Sequence, residues 1–308
     1  MKPAQAKRVP DLKPQADRKS NAEYNELLAR LQDIPTLPVV AMAVNDLIND
    51  PNSSGVDIAN VLKKDQVLTA KILRLVNSSY YAIPGGVVDV QRALAFLGFN
   101  TIAQLVLSLS VFSMFQAFDD DSELTMLDFW KHALATGVCS EMLARKLKVP
   151  KPEEAFTCGL LHDIGKLVLH QIDPDRMMEI VKEARKQNCS FVEIERQWDT
   201  PGHSYLGEVI AAKWGLPQLI RQAARYHHFD VTNMDTLLAS AKPMIQIVRL
   251  ANTLCVKNQI GKSGDCSEGK ITSDMLAPLG INPFDVPALE EELKIEMERA
   301  GAFLSAYR

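Results

Sequence analysis

Apolar positions along most of this chain recur every three or four residues, the spacing of an amphipathic helix; no convincing strand alternation competes with it. The first such segment, 23–33, stops at Ile34-Pro35. After Leu37-Pro38, where Pro38 suits a first helical turn, Val39, Met42, Ala43 and Leu47 follow at helical spacing. The turn formers from Asp50 to Gly55 break the pattern. A short helix is predicted over 56–62. A longer one follows over 67–77, with Asp65 as N-cap and Leu68, Ile72, Leu75 and Val76 as its stripe. Pro84-Gly85-Gly86 marks a loop. Asp89 then opens a helix that turns Ala93, Leu94 and Leu97 inward and that Gly98 closes. Residues 101–118 are apolar nearly all round, which predicts a buried helix. Further helices are predicted over 124–147, 153–170, 173–188, 190–198, 204–214, 217–226 and 243–256, with a last one from Pro287 towards Leu304. Residues 258–267, polar and glycine-containing, read as a mobile loop.

The pattern makes the chain all-α. Asp119-Asp120-Asp121-Ser122 forms an acidic hinge, so the expected layout is a helical part over 22–118, a second over 122–257, and a loop with C-terminal helices over 258–308. Residues 1–21 carry six Lys/Arg against two Asp in the first twenty positions, and read as a disordered basic tail. The whole chain of 308 residues is 47% hydrophobic with a net charge of -4, which argues against a general nucleic-acid binder. No run approaches the roughly 18 uninterrupted apolar residues of a membrane span, and residues 1–20 hold no apolar stretch of the secretory kind. Five scattered cysteines without a CxxC pair read as reduced thiols. These features predict a cytoplasmic protein with no membrane partner. Trp130, Trp198 and Trp214 fit core packing. Gly261-Lys262-Ser263 lacks the earlier glycine of a phosphate-binding loop, since Val256 stands there.

All six histidines lie beyond Gln116, and five fall in a suggestive order: His132, the pair His162-Asp163, His203, and the pair His227-His228. Imidazole and carboxylate together suit Zn, Fe or Mn. His162 and Asp163 sit within the apolar stripe of Phe156, Leu160, Leu161, Ile164, Leu167 and Val168. Burial disfavours an unpaired charge; a metal makes it tolerable, and so does a hydrogen-bonded pair. Asp128 and His132 share a helix face at i and i+4. Asp128 equally suits the capping of its helix after Ser122 and Thr125. Lys166, three residues after Asp163, suits an ion pair or, in an enzyme, charge on a phosphate. Neighbours on a helix diverge by about 100°, so His227 and His228 converge only where their helix ends.

These residues carry a resemblance. From about Ile34 to Trp214 the chain resembles an HDOD domain, a module related to the HD phosphohydrolase superfamily. The matching runs are Leu37-Pro38, Asp65-Gln66-Val67-Leu68, Lys71 to Ser78, Ala93 to Gly98, Gly159 to Lys166, His203 to Gly207, and Trp214 to Pro217. The resemblance implies a helical leader packed on an HD-like helical bundle. It implies His132, His162 and Asp163 as metal ligands, His203, His227 and His228 as the extra histidines of the related HD-GYP enzymes, Asp128 as the upstream acid, and Asp163 with Lys166 as the catalytic pair. Iron or manganese is favoured and zinc is the alternative. The final aspartate of the HD pattern is replaced by Asn252, and no GYP-like run follows His228. Two functions stay open. One is a bacterial signal-transduction module that binds metal, has weak or no catalysis, and acts through protein partners. The other is a metal-dependent phosphohydrolase or phosphodiesterase acting on a nucleotide or cyclic nucleotide.

Overall fold

The computed structural model describes residues 26, 27, 29–115, 124–198, 201–237 and 239–301. The expected basic tail, the acidic hinge and the end of the last helix lie outside those residues. Among the described residues all regular structure is helical. After helical residues 26–27 and 29–30, the leader comprises α1 (Val39–Asn49), α2 (Gly55–Leu62), α3 (Gln66–Val76) and α4 (Val90–Phe112). The starts are locally encoded: Ser54 and Asp57 form a capping box at α2, Asp65 accepts from the Leu68 amide at 2.9 Å, and Asp89 accepts from the Arg92 amide at 2.8 Å. Gly98 interrupts α4 with φ 80°, as its expected closing role requires, and the helix resumes at once. Its second half, Ile102 to Phe112, is buried, including Gln104, Ser108 and Ser110. By length and composition α4 is long and apolar enough to cross a membrane; here that half forms protein core.

The bundle comprises α5 (Met126–Lys146), α6 (Pro152–Leu161), α7 (Ile164–Ile172), α8 (Pro174–Gln187), α9 (Phe191–Gln197), α10 (His203–Lys213), α11 (Gln218–Tyr226) and α12 (Ala241–Lys257). The short α13 (Ser273–Leu276), two 3-10 turns and α14 (Val286–Arg299) complete it. The single helix expected over 153–170 is two, broken at His162-Asp163, where Asp163 takes φ -97°, ψ 15°. The apolar stripe runs through the break, so periodicity could not show it.

One continuous core joins leader and bundle, from Leu27 through α4 to Leu293; a small satellite gathers Val231, Leu237, Ala241 and Ile245. Polar ties reinforce the joint. The Lys213 ammonium donates to the carbonyls of Leu31 and Ile34 at 2.8 and 2.9 Å, Trp214 Nε1 donates to Pro35 O, and Asn45 donates to Gly215 O. On the other flank Tyr80 donates to the Glu141 carboxylate of α5 at 2.6 Å. Trp214 is buried as expected, whereas Trp198 is 39% exposed.

Candidate metal centre

Five helices, or the turns at their ends, bring the sequence-predicted residues to one place. α5 carries His132 a turn and a half from its start. The break between α6 and α7 supplies His162 and Asp163, and α7 supplies Lys166 in its first turn. His203 is the first residue of α10; His227 caps the end of α11 and His228 follows it. Both adjacent pairs therefore sit where a helix stops, which frees neighbouring side chains from the divergence a helix imposes. Gly165 allows the closest crossing: a Cβ there would run into the carbonyl of His203 and the amide of Gly207.

Two groups of ligand atoms form, each within 4.8 Å: Asp163 with His203, His227 and His228, and Asp163 with His132 and His162. Asp163 belongs to both. Three of the imidazoles are oriented by their outer nitrogens. His162 Nδ1 lies 2.6 Å from Gly159 O and His227 Nδ1 lies 2.9 Å from Ala224 O. A nitrogen facing a carbonyl is the donor, so each ring keeps its Nε2 lone pair inward. His203 Nδ1 meets Glu195 Oε2 at 2.8 Å, and the Glu195 carboxylate also accepts from the His203 amide. The inner nitrogens crowd one another: His203 Nε2 is 3.0 Å from His228 Nε2 and 3.3 Å from His227 Nε2. Asp163 Oδ1 lies 3.2 Å from His203 Nε2 and 3.4 Å from His227 Nε2.

The electrostatics follow from depth. Burial, with the neighbouring His162, holds His132 down to about 4. Burial likewise holds His227 to about 4, and pushes His228 well below the ordinary imidazole range. His203 runs the other way: burial opposes its charge, but Glu195 and Asp163 outweigh it and raise it to about 9. For Asp163, burial opposes ionisation and is outweighed by Lys166 and His162, so the carboxyl stays well below its usual range. Lys166 is held charged despite burial by Asp163 and Asp265. Three carboxylates (Asp163, Asp265, Glu195) thus face one lysine and one imidazolium. Negative charge in excess, inward lone pairs, and the hydrogen-bond-orphaned His162 Nε2 fit a divalent cation.

Two residues were not legible in the sequence. Glu195 sits on α9 with nothing around it to mark it. Asp265 lies in the segment expected to be a mobile loop; instead that segment folds onto the centre, with Asp265 Oδ2 3.2 Å from Lys166 Nζ. Asp128 is not brought into either group. Its amide donates to Thr125 Oγ1 at 3.1 Å, its carboxylate accepts from the same hydroxyl at 3.0 Å, and Lys262 lies 3.6 Å away. That is the capping alternative. Asn252 is buried on α12 with Oδ1 lacking a partner; with His228 and Asp265 it lines a cavity of about 590 Å³.

Comparison with known proteins returns the family and the fold. The HDOD domain family model matches residues 34–229. A Treponema pallidum protein, uncharacterized, is 25% identical over 224 residues, covering 72% of this chain and 42% of its own length. The uncharacterized YuxH of Bacillus subtilis is 26% identical over 180 residues, covering 50% of this chain and 41% of itself. The chain thus spans about two fifths of these curated relatives. Among solved structures, an HDOD domain protein of unknown function from Geobacter sulfurreducens superposes with TM-score 0.71 at 20% identity, covering 94% of this chain and 97% of that one. A Marinobacter aquaeolei VT8 protein provisionally named for signal transduction gives 0.75 at 20% identity, covering 96% and 68%. A Shewanella amazonensis SB2B protein provisionally named a phosphohydrolase gives 0.70 at 22% identity, covering 92% and 98%. At these identities the structures share the fold.

Proposed function

This chain belongs to the HDOD family, and on that premise we propose that it is a metal-holding signal-transduction module, weakly catalytic or inert, that acts in the cytoplasm through protein partners. The observation that carries the reading is the convergence of the two ligand groups on Asp163, with side chains from separate helices. A cation held by His132, His162 and Asp163, and another by Asp163, His203, His227 and His228, would tie four segments of the bundle together. When bound, such ions supply Lewis-acid polarisation and a deprotonated water. The protein's own contribution is to fix the imidazole tautomers, exclude solvent and keep Asp163 ionised. Asn252 supports weak chemistry, because a neutral amide stands where the superfamily pattern has a carboxylate. Iron or manganese suits this mixed nitrogen and oxygen set, with zinc as the alternative.

The phosphohydrolase reading keeps one observation of its own: the cavity beside His228 and Asn252 is large enough for a nucleotide. Elemental analysis of protein purified without added metal, and again after anaerobic loading with iron or manganese, tests the first reading. At least one equivalent is expected, falling to background in Asp163→Ala. Less than one equivalent after loading sinks it. A panel of phosphomonoesters, phosphodiesters and cyclic nucleotides separates the two readings: turnover in the loaded wild type that vanishes in Asp163→Ala would favour the enzyme.

A further inference from the structure

Residues 258–269 do more than connect α12 to α13. They return across the metal centre and are pinned at several points. Gly261, with φ 69°, packs against the backbone of Asp128, Lys131 and His132 so closely that no Cβ fits, and the Lys262 amide donates to Asp128 O at 2.9 Å. Gly264, with φ 85°, fits against Phe191 and Val181. The Cys266 amide donates to Cys189 O at 3.1 Å. Between these anchors the Asp265 side chain, 5% exposed, points into the centre. Its Oδ1 accepts from the Phe191 amide at 2.8 Å; its Oδ2 accepts from Ser263 Oγ at 2.8 Å and from Lys166 Nζ at 3.2 Å. Asp265 also lines two cavities. One, of about 590 Å³, reaches His228; the other, of about 540 Å³, reaches His132 and Lys262.

We propose that Asp265 is a built-in counter-anion, occupying the place on Lys166 that the oxygen of a phosphate or phosphoryl group takes when the carboxylate is withdrawn. Lys166 is fully buried and its ammonium faces Asp163, Asp265 and the ring of Phe191, whose centroid is 5.0 Å away. A buried ammonium needs an anionic or strongly polar acceptor. Asp163 sits at the root of both ligand groups and cannot leave. Asp265 is on a loop between two cavities, so it is the exchangeable partner. While it stays, an incoming oxyanion meets a satisfied lysine and a fixed carboxylate, which is a physical reason for weak phosphoryl chemistry. The inference rests on the metal-holding reading only for its biological setting, as a control on the same site; the exchange on Lys166 needs no metal.

Calorimetric titration of the metal-free protein with inorganic phosphate tests it. Asp265→Asn keeps an acceptor for the Phe191 amide and removes the charge. Phosphate should bind this variant roughly tenfold more tightly than wild type, the scale of one charge-assisted bond, and the gain should vanish in the Lys166→Met/Asp265→Asn double variant. Equal affinity in Asp265→Asn and wild type, or a gain that survives Lys166→Met, overturns the proposal. Should Asp265→Asn not fold, as circular dichroism would show, Ser263→Ala carries the test by removing one donor from the same carboxylate oxygen. About threefold tighter phosphate is then expected, and unchanged affinity is fatal. Metal content of the wild type is measured separately, so a metal-free protein would end the functional reading while leaving this result intact.

Discussion

An imidazole ligates through a lone pair, and the contact at its outer nitrogen decides which lone pair faces inward. At His203 that contact is Glu195, at 2.8 Å. Glu195→Gln keeps the shape and weakens the acceptor; isothermal titration of iron or manganese should show affinity falling about 10- to 100-fold with the fold unchanged. The same residues give the metal-free protein a distinctive pH response. His132 and His227 are held to about 4, below the ordinary 6.5, so the unfolded chain binds protons first as pH falls. Their contribution is complete above 6.5 and is lost on acidification towards 4. His203, raised to about 9, contributes fully below 6.5 and loses that contribution as pH rises through 9. Thermal melts of chelated protein should therefore peak near pH 6.5, and metal loading, which needs deprotonated imidazoles, should shift the maximum upward. A chelated protein whose melting temperature is flat from pH 5 to about 9 would contradict this account. The order of histidines was legible because five of six fall in a recognisable series. Glu195 and Asp265 were not, because nothing in a single sequence separates a carboxylate turned inward from one turned out.

At the scale of elements, helix ends do the positioning. The periodicity over 153–170 is that of one uninterrupted helix, yet the chain bends at His162-Asp163 and presents both side chains to the same hollow. The sequence carries the apolar face and leaves the break to the neighbours, above all to α10 crossing at Gly165. Gly165→Ala would force a methyl group into the His203 carbonyl. It should cost about 3 kcal/mol, the upper end of overpacking penalties, and lower metal stoichiometry because His203 moves with its backbone. Urea melts and elemental analysis check both effects; a variant with wild-type stability would mean that α7 and α10 are not so close. Asn77, the C-cap of α3, shows the opposite case, a stop made by a local side chain. Its side chain donates to Val87 O at 2.8 Å and accepts from the Val87 amide at 2.7 Å, closing the loop before α4. The expected mobile loop at 258–267 differs because its glycines are used for close contact with α5 and α9, a role indistinguishable by composition from flexibility.

At the scale of the molecule, the candidate ligands come from α5, α7, α10 and α11 and the turns beside them, so a cation held there would stabilise the folded chain alone. Loading at 100 times its dissociation constant should add about 2.7 kcal/mol, visible as a raised melting temperature that a chelator reverses; no shift on loading would mean that metal holds nothing together. The leader shares its core with the bundle, and Lys213, Trp214 and Asn45 stitch the two, so a change at the leader has a packed route to α10 and His203. Local rules in the sequence determined the helical class, most helix boundaries and the inward faces, because capping, periodicity and burial act over a few residues at a time; the histidine series was carried by motif order and the family resemblance. Only the tertiary structure decided the break at the His162-Asp163 pair, the capping rather than clustering of Asp128, and the recruitment of Glu195 and Asp265. Those depend on which backbone passes within a few ångströms of which, and that is settled by packing between segments distant in the chain.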